Sequence, residues 1–280
     1  MSSSAPFRRR AAFLDFDGTL AESGIVPRAQ AEAVLAARAA GHAVLLSTGR
    51  PASIVASDVA ALFDGMITSA GGHIRIGDEL LRDVRFPAAL ARRTVEVLEA
   101  HGAAYALEAP EALWCSASSA DRLERRRRGA PVPSAGELGR GFADILEAIS
   151  VPEDPAAVSF AKISVWSSPV PIEQLAAEVG PEVGALPNSI SEDGRGSGEL
   201  HLAEVDKADG LRLAAEHLGV GIEDTVAVGD GANDLGMLRA AGTGVAIRGS
   251  RPEVLAAADM EVAPPSGHGV EEAFARLGML

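Results

Sequence analysis

A single cysteine, Cys115, stands in this 280-residue chain, so no disulfide can form within it. Such cysteine usage fits a reducing, cytoplasmic setting. Long apolar runs are also missing. Hydrophobic residues make up 47% of the sequence, yet none of its stretches approaches the roughly 18 uncharged residues that a membrane-spanning helix requires. The early Ser4-Ala5-Pro6-Phe7-Arg8-Arg9-Arg10 carries the paired arginines of an export signal but continues into Asp15 and Asp17, and reads as a short solvated lead-in. Positive charge is scarce. With 25 Lys and Arg against 39 Asp and Glu, the formal net charge is −14, which argues against nucleic acid as a partner because its phosphates would be repelled over most of the surface. The exception is Arg125 to Arg128, a solvated helix end or a local anion contact. The six histidines show no H-E-x-x-H spacing, and Gly194-Arg195-Gly196-Ser197-Gly198 lacks a Walker pattern, so it reads as a hairpin loop or hinge rather than a phosphate cradle. No internal repeat or low-complexity block is evident.

What is present begins at Asp15-Phe16-Asp17-Gly18-Thr19-Leu20, entered through the apolar Ala11-Ala12-Phe13-Leu14. A short apolar run ending at such a turn reads as a buried strand that delivers two carboxylates where it stops. Two like charges so close repel unless a cation or a shared proton relieves them. One carboxylate could serve as nucleophile and the other as acid/base. The same four letters D-x-D-G also describe an ordinary acidic turn, so the rest of the chain must decide.

The order that follows is β-α-β-α-β. A helix is expected over Pro27 to Ala40, a strand over His42 to Leu46 running into Ser47-Thr48-Gly49-Arg50, one helix from Pro51 to about Leu62, and a strand from Gly65. Gly77-Asp78 then marks a two-residue hairpin. From about 83 the rhythm changes, with Pro110, Pro131 and Pro133 interrupting shorter elements that include strands at Val158 to Trp166, Ile190 and Glu199 to Ala203. The parallel pattern resumes with a helix after Lys207 and a strand Thr225 to Val228 that delivers Gly229-Asp230-Gly231-Ala232-Asn233-Asp234. The fold class expected is α/β, a doubly wound, Rossmann-like parallel sheet formed by residues 1–82 and 196–280, with an α+β cap inserted over 83–195.

Asp15 and Asp17, Thr48, Lys207, and Asp230 with Asn233 and Asp234 thus fall at strand ends or helix starts of one sheet. A phosphate monoester needs what they offer. Its dianion repels a nucleophile, and its transition state requires a cation and fixed donors on the phosphoryl oxygens. Carboxylates suit a small hard ion such as Mg²⁺. Taken singly, Lys207 is also a surface lysine, Thr48 or Ser47 a helix cap, and Asn233 another cap.

On the six residues from Asp15, on Ser47-Thr48-Gly49-Arg50, on Lys207 and on the six residues from Gly229, the sequence resembles the haloacid dehalogenase superfamily of phosphohydrolases. The long insertion between Thr48 and Lys207 looks like the larger, type-2 (IIB-like) cap of its Cof-like sugar-phosphatase branch. The resemblance implies that Asp15 attacks phosphorus to form an aspartyl-phosphate and that Asp17 exchanges the proton with the leaving oxygen and then with water. It implies that Thr48 and Lys207 grip the phosphoryl oxygens alongside Gly49 and Arg50. Mg²⁺ would be held by the carboxylates of Asp15 and Asp230 and the carbonyl of Asp17, with Asn233 and Asp234 in or just behind the ligand shell. Hydrolysis of a small phosphorylated metabolite, a sugar phosphate or glycosyl phosphate, is the function implied. The alternatives are a phosphomutase or phosphotransferase and a non-catalytic metal- and phosphate-binding regulator. The sequence departs from close relatives at Ala70-Gly71-Gly72 and at Ala208. Arg50 is expected to orient Asp15 or to neutralise the acidic pocket; Lys162, Asn188, Glu192 and Arg195 are candidate cap contacts, and Trp114 and Trp166 read as core.

Overall fold

The computed structural model describes residues 7–126, 131–187 and 195–280. The first segment runs β1 (Ala11–Leu14), α1 (Arg28–Ala39), β2 (Ala43–Ser47), α2 (Ser57–Ala60), β3 (Gly65–Thr68), β4 (His73–Ile76) and β5 (Glu79–Asp83). Next come α3 (Ala88–Ala100), β6 (Ala104–Glu108), β7 (Leu113–Trp114), α4 (Ala117–Arg126), α5 (Phe142–Glu147), β8 (Ile149–Ser150), β9 (Lys162–Ser167), α6 (Ile172–Val179), β10 (Val183–Pro187) and β11 (Gly198–Leu202). The chain continues through α7 (Lys207–His217), β12 (Thr225–Gly229), α8 (Leu235–Ala240), β13 (Thr243–Ile247), α9 (Pro252–Leu255), β14 (Met260–Val262) and α10 (Gly269–Arg276).

Among the described residues these strands make two sheets, ordered β14-β13-β12-β1-β2-β3-β4-β5 and β10-β11-β9-β6-β7-β8. In the first, β14 to β3 pair in parallel and the Gly77-Asp78 hairpin adds β4 and β5 in antiparallel. All four residues of β1 are buried, on alternating faces of the sheet. Ala12 and Leu14 pack with α1 and α10, while Ala11 and Phe13 pack with α7, α8 and α9 on the opposite face. Helices on both faces make the sheet doubly wound, as expected. Going out from β1, the chain builds one way through β2 and β3 and the other way through β12, β13 and β14, so the order reverses beside β1. Crevices at such reversals, beyond the carboxyl ends of the strands, are where ligands settle in open α/β sheets.

The second sheet is half-covered. Tyr105, Leu107, Ile163, Val165, Leu200 and Leu202 bury one face beneath α3 and α6, and the residues alternating with them point the other way. Trp114 packs at the margin of this core, in line with its reading as structural. The insertion also folds back onto the first sheet's unit: Val26 and Leu138 exchange backbone hydrogen bonds of 2.9 and 3.1 Å, and the Gly139 amide donates to Asp58.

Three expectations change. Strand Gly198–Leu202, assigned to the second part of the core by its sequence position, pairs with β10 and β9 in the second sheet. The single helix expected from Pro51 to Leu62 is a 3-10 turn (Ala52–Ile54) followed by α2, because Val55 adopts an extended backbone that turns Ile54 toward a cavity beyond the strand ends and sends Val55 into the core. The strand expected from Val158 begins only at Lys162, after a 3-10 turn at Pro155–Ala157. A strand at Ile190 falls outside the described residues.

Gln30 ties the two ends of the core together. Its side chain is fully buried, donates to the Thr19 carbonyl, and accepts from the Val270 and Glu271 amides. Those amides open α10, whose N-cap His268 offers no side-chain acceptor, so Gln30 supplies the cap from a distant helix. Gln30→Leu would leave buried donors unpaired and is expected to cost about 1–3 kcal/mol in urea unfolding. A change within about 0.5 kcal/mol would contradict this role.

Candidate active site

Register decides which carboxylates meet. Leu14 lies opposite Val228 and Leu46 across the parallel pairs, so Asp15 and Asp230 leave adjacent strands at neighbouring levels, with Thr48 leaving the strand on the other side of β1. The Asp15 amide continues the ladder by donating to Val228 at 2.9 Å. Gly18 turns back with φ of +88°, so close to Asp230 that a Cβ there would collide with the carboxylate. This approach lets Thr19 Oγ1 donate to Asp230 Oδ1 at 2.8 Å. Lys207 opens α7 behind the side-chain cap of Asp206. Gly71, at φ of +107°, packs against the Asp206 carbonyl where no side chain would fit.

Lys207 joins what the strands bring together. Its Nζ donates to Asp15 Oδ1 and to Asp234 Oδ1, each at 2.6 Å, with all three side chains buried. The other oxygen of Asp234 accepts the backbone amides of Asp230 and Gly231 at 3.1 and 2.9 Å. Burial, then the Asp234 charge, pushes Asp15 well above the ordinary carboxylate range; Lys207 opposes them, and Asp230 adds to the rise. Burial works against the charge on Lys207 too, but Asp15 and Asp234 outweigh it and hold the ammonium above its ordinary pKa. Asp230 is pushed up to about 6, chiefly by burial.

Three carboxylates crowd one ammonium, leaving an unmet demand for positive charge. Oxygens of Asp15, Asp230 and Asp234 lie within 4.8 Å of one another, a donor set that fits a hard divalent cation. Because both oxygens of Asp234 are engaged by Lys207 and the backbone, the openings are on Asp15 and Asp230. Asp17 is turned elsewhere. Its carboxylate takes a bidentate pair from Arg50, at 2.6 and 2.7 Å, and the guanidinium also lies over the Phe16 ring at 4.6 Å. Arg50 therefore pairs with Asp17 and not with Asp15 as one reading of the sequence had it. Thr48 is buried and caps no helix: its hydroxyl accepts the Arg50 amide within the turn.

A cavity of about 300 Å³ opens over these groups, and Thr48, Gly49, Asn233 and Gly231 share its wall with Asp15, Asp17 and Asp230. The second sheet roofs it with Glu108, Lys162, Ser164 and Glu199. Lys162 was a sequence candidate; the other three were not. For Ser164 and Glu199 the signal is polar residues alternating with the apolar set along β9 and β11, which becomes informative once the strand pairing is known; Glu108 is a lone polar residue at the end of β6. Arg195 lies exposed outside this wall, while Asn188, Glu192 and the side chains of Arg125 to Arg128 fall outside the described residues.

Removing the shared ammonium should be costly. Lys207→Met leaves Asp15 and Asp234 buried without their cation, a loss of about 3–5 kcal/mol at neutral pH. A carboxyl whose folded pKa lies above its unfolded value regains stability as pH falls through the folded value, so the deficit should shrink between pH 7.5 and pH 5 in urea unfolding. A deficit that grows on acidification would contradict the assignment.

The chain is similar to several known proteins. A phosphoglycolate phosphatase of Archaeoglobus fulgidus is 37% identical over 78 residues, covering 28% of this chain and 35% of that protein. The match thus spans about a third of that relative's length. The HAD subclass IIB sugar phosphatase BT4131 superimposes with a TM-score of 0.77 at 23% identity, covering 97% of this chain and 100% of that one. Phosphatase BT1666 from Bacteroides thetaiotaomicron gives a TM-score of 0.75 at 23% identity over 100% of both chains. These likenesses show a shared fold, inserted sheet included. The family model for haloacid dehalogenase-like hydrolases matches residues 12–274, and with the two acidic clusters, Thr48 and Lys207 gathered at the reversal of strand order, the chain belongs to the haloacid dehalogenase-like hydrolase family.

Proposed function

We propose that this protein is a Mg²⁺-dependent phosphatase that releases phosphate from a small phosphorylated metabolite, a sugar phosphate or glycosyl phosphate, through an aspartyl-phosphate at Asp15. The observation that carries the reading is the Lys207 bridge, which holds Asp15 in the wall of the cavity with one oxygen anchored and the other available to attack. Attack on phosphorus forms the Asp15 oxygen–phosphorus bond as the ester oxygen–phosphorus bond breaks. Asp17 then gives the leaving oxygen its proton, and takes one from the water whose attack on phosphorus frees Asp15. For the proton to pass, the Arg50–Asp17 pair must open when substrate enters, so Arg50 acts as a positioning residue. Lys207, the Thr48 hydroxyl and the Gly49 backbone would grip the phosphoryl oxygens. Asp15 and Asp230 with the Asp17 carbonyl would hold Mg²⁺, Asn233 stands beside them, and Asp234 locks Lys207 and the loop from behind. When bound, the cation supplies charge that lets a dianionic phosphoryl group approach a carboxylate.

Two measurements test this reading. Asp15→Asn should lower phosphate release from p-nitrophenyl phosphate by at least about 1,000-fold while leaving the folded state intact; turnover near that of the parent protein would remove Asp15 from the proposed role. Mg²⁺ affinity, followed by calorimetry without substrate, should weaken about tenfold per pH unit below about 6, because protons then compete for Asp230. An affinity flat between pH 7.5 and pH 5 would place the ion elsewhere.

A further inference from the structure

The roof of the cavity is charged in a way that the phosphoryl chemistry does not use. Glu108 and Lys162 face each other across β6 and β9, and Glu199 faces Ser164 across β11 and β9. Lys162 Nζ lies 2.7 Å from Glu199 Oε1 and 3.2 Å from Glu108 Oε2, and the Ser164 hydroxyl donates to Glu108 Oε1. Lys162 and Glu108 are 2% and 4% exposed, so this is a built group rather than a chance surface pair. Burial raises the Glu108 carboxyl above its ordinary value against the pull of Lys162, and Glu199 adds to the rise.

The group stands directly over the phosphoryl loop. A Cβ placed on Gly49 would lie 3.6 Å from Lys162 Nζ and 3.8 Å from Glu199 Oε1. Whatever is esterified to a phosphate held by Thr48 and Lys207 must therefore lie against Glu108, Lys162 and Glu199. Its electrostatic welcome there is specific. Lys162 is shared by two carboxylates, so the roof's own cation is already committed. Two glutamates against one lysine leave the roof with a surplus negative charge in a confined space, where like charges are costly. The same group offers an acceptor. Glu108 Oε2 is buried against Lys162 at 3.2 Å and contributes charge, while the Glu199 side chain, 31% exposed, presents its carboxylate to the cavity as an acceptor.

We propose that Glu108 and Glu199 act as a charge filter, admitting phosphate esters whose leaving group presents hydroxyl donors and excluding those that carry a second anionic group. Lys162 positions the two carboxylates and is not free to receive a carboxylate or second phosphate from substrate. This inference rests on the phosphatase reading and narrows its substrate class. Hydroxyls gain charge-assisted hydrogen bonds; an added carboxylate loses them and meets repulsion.

The test compares kcat/KM of the Mg²⁺-loaded full chain in matched pairs, glucose 6-phosphate against 6-phosphogluconate and glycerol 3-phosphate against 3-phosphoglycerate, with p-nitrophenyl phosphate alongside. The uncharged-tail member should lead by at least about tenfold in each pair, and Glu199→Gln and Glu108→Gln should each narrow the lead by at least about threefold. Turnover of the acidic members within about threefold of their partners, or ratios unmoved in both glutamine variants, overturns the filter. If p-nitrophenyl phosphate is hydrolysed while the ratios stay flat, the filter fails and the phosphatase reading survives. If no compound releases phosphate, both fail together.

Discussion

One ammonium shared by two buried carboxylates sets the terms for the rest of this structure. Lys207 reaches Asp15 from one side and Asp234 from the other, each at 2.6 Å, and burial makes each charge depend on its partner. The three residues come from the first strand, the start of α7 and the loop after β12. Any shift of α7 along the sheet would leave a carboxylate stranded, so the same contact that prepares Asp15 also fixes the two halves of the core against each other. The Gly71–Asp206 approach and the Gln30 bridge to α10 serve that end, holding the helix starts at fixed depth beneath the strand ends.

The sheet explains why these groups can meet at all. Parallel strands end side by side, and at the reversal beside β1 the chain departs in opposite directions, leaving a crevice that no connection fills. Into it come Asp15 and Asp230 from adjacent strands. Their repulsion is only partly met by Lys207, and the three-carboxylate cluster they form with Asp234 could hold a hard cation. A second sheet shuts the crevice from above, polar face inward, so the groups below act in a confined space where fixed charges count for more than in water.

Much of the core was legible from the sequence because its signals are local. Ala11–Leu14 and Thr225–Val228 read as buried strands from unbroken apolar runs, and the acidic clusters follow them directly. Gly77-Asp78 announced its hairpin by turn chemistry alone. The errors lie where tertiary contacts decide. Val55 breaks an expected helix because Ile54 and Val55 must point to different surroundings, and Gly198–Leu202 looks like a return to the core until its partners β9 and β10 are seen. The wall residues Glu108, Ser164 and Glu199 were unreadable for the same reason: an alternating polar face is shared by any half-exposed strand, and only pairing and docking turn it toward Asp15. Arg50 was visible but its partner was not, since Asp15 and Asp17 are two residues apart and only the folded chain shows that Lys207 takes the first and Arg50 the second.

The proposed chemistry passes through one covalent bond, between Asp15 and phosphorus, and trapping that bond tests it most directly. Protein quenched during turnover of p-nitrophenyl phosphate and reduced with borohydride should yield homoserine in place of aspartate at position 15, read by peptide mass spectrometry. Homoserine at Asp15, absent when substrate is withheld, is the result expected. Steady phosphate release with Asp15 unreduced, or reduction at another carboxylate, would contradict the account.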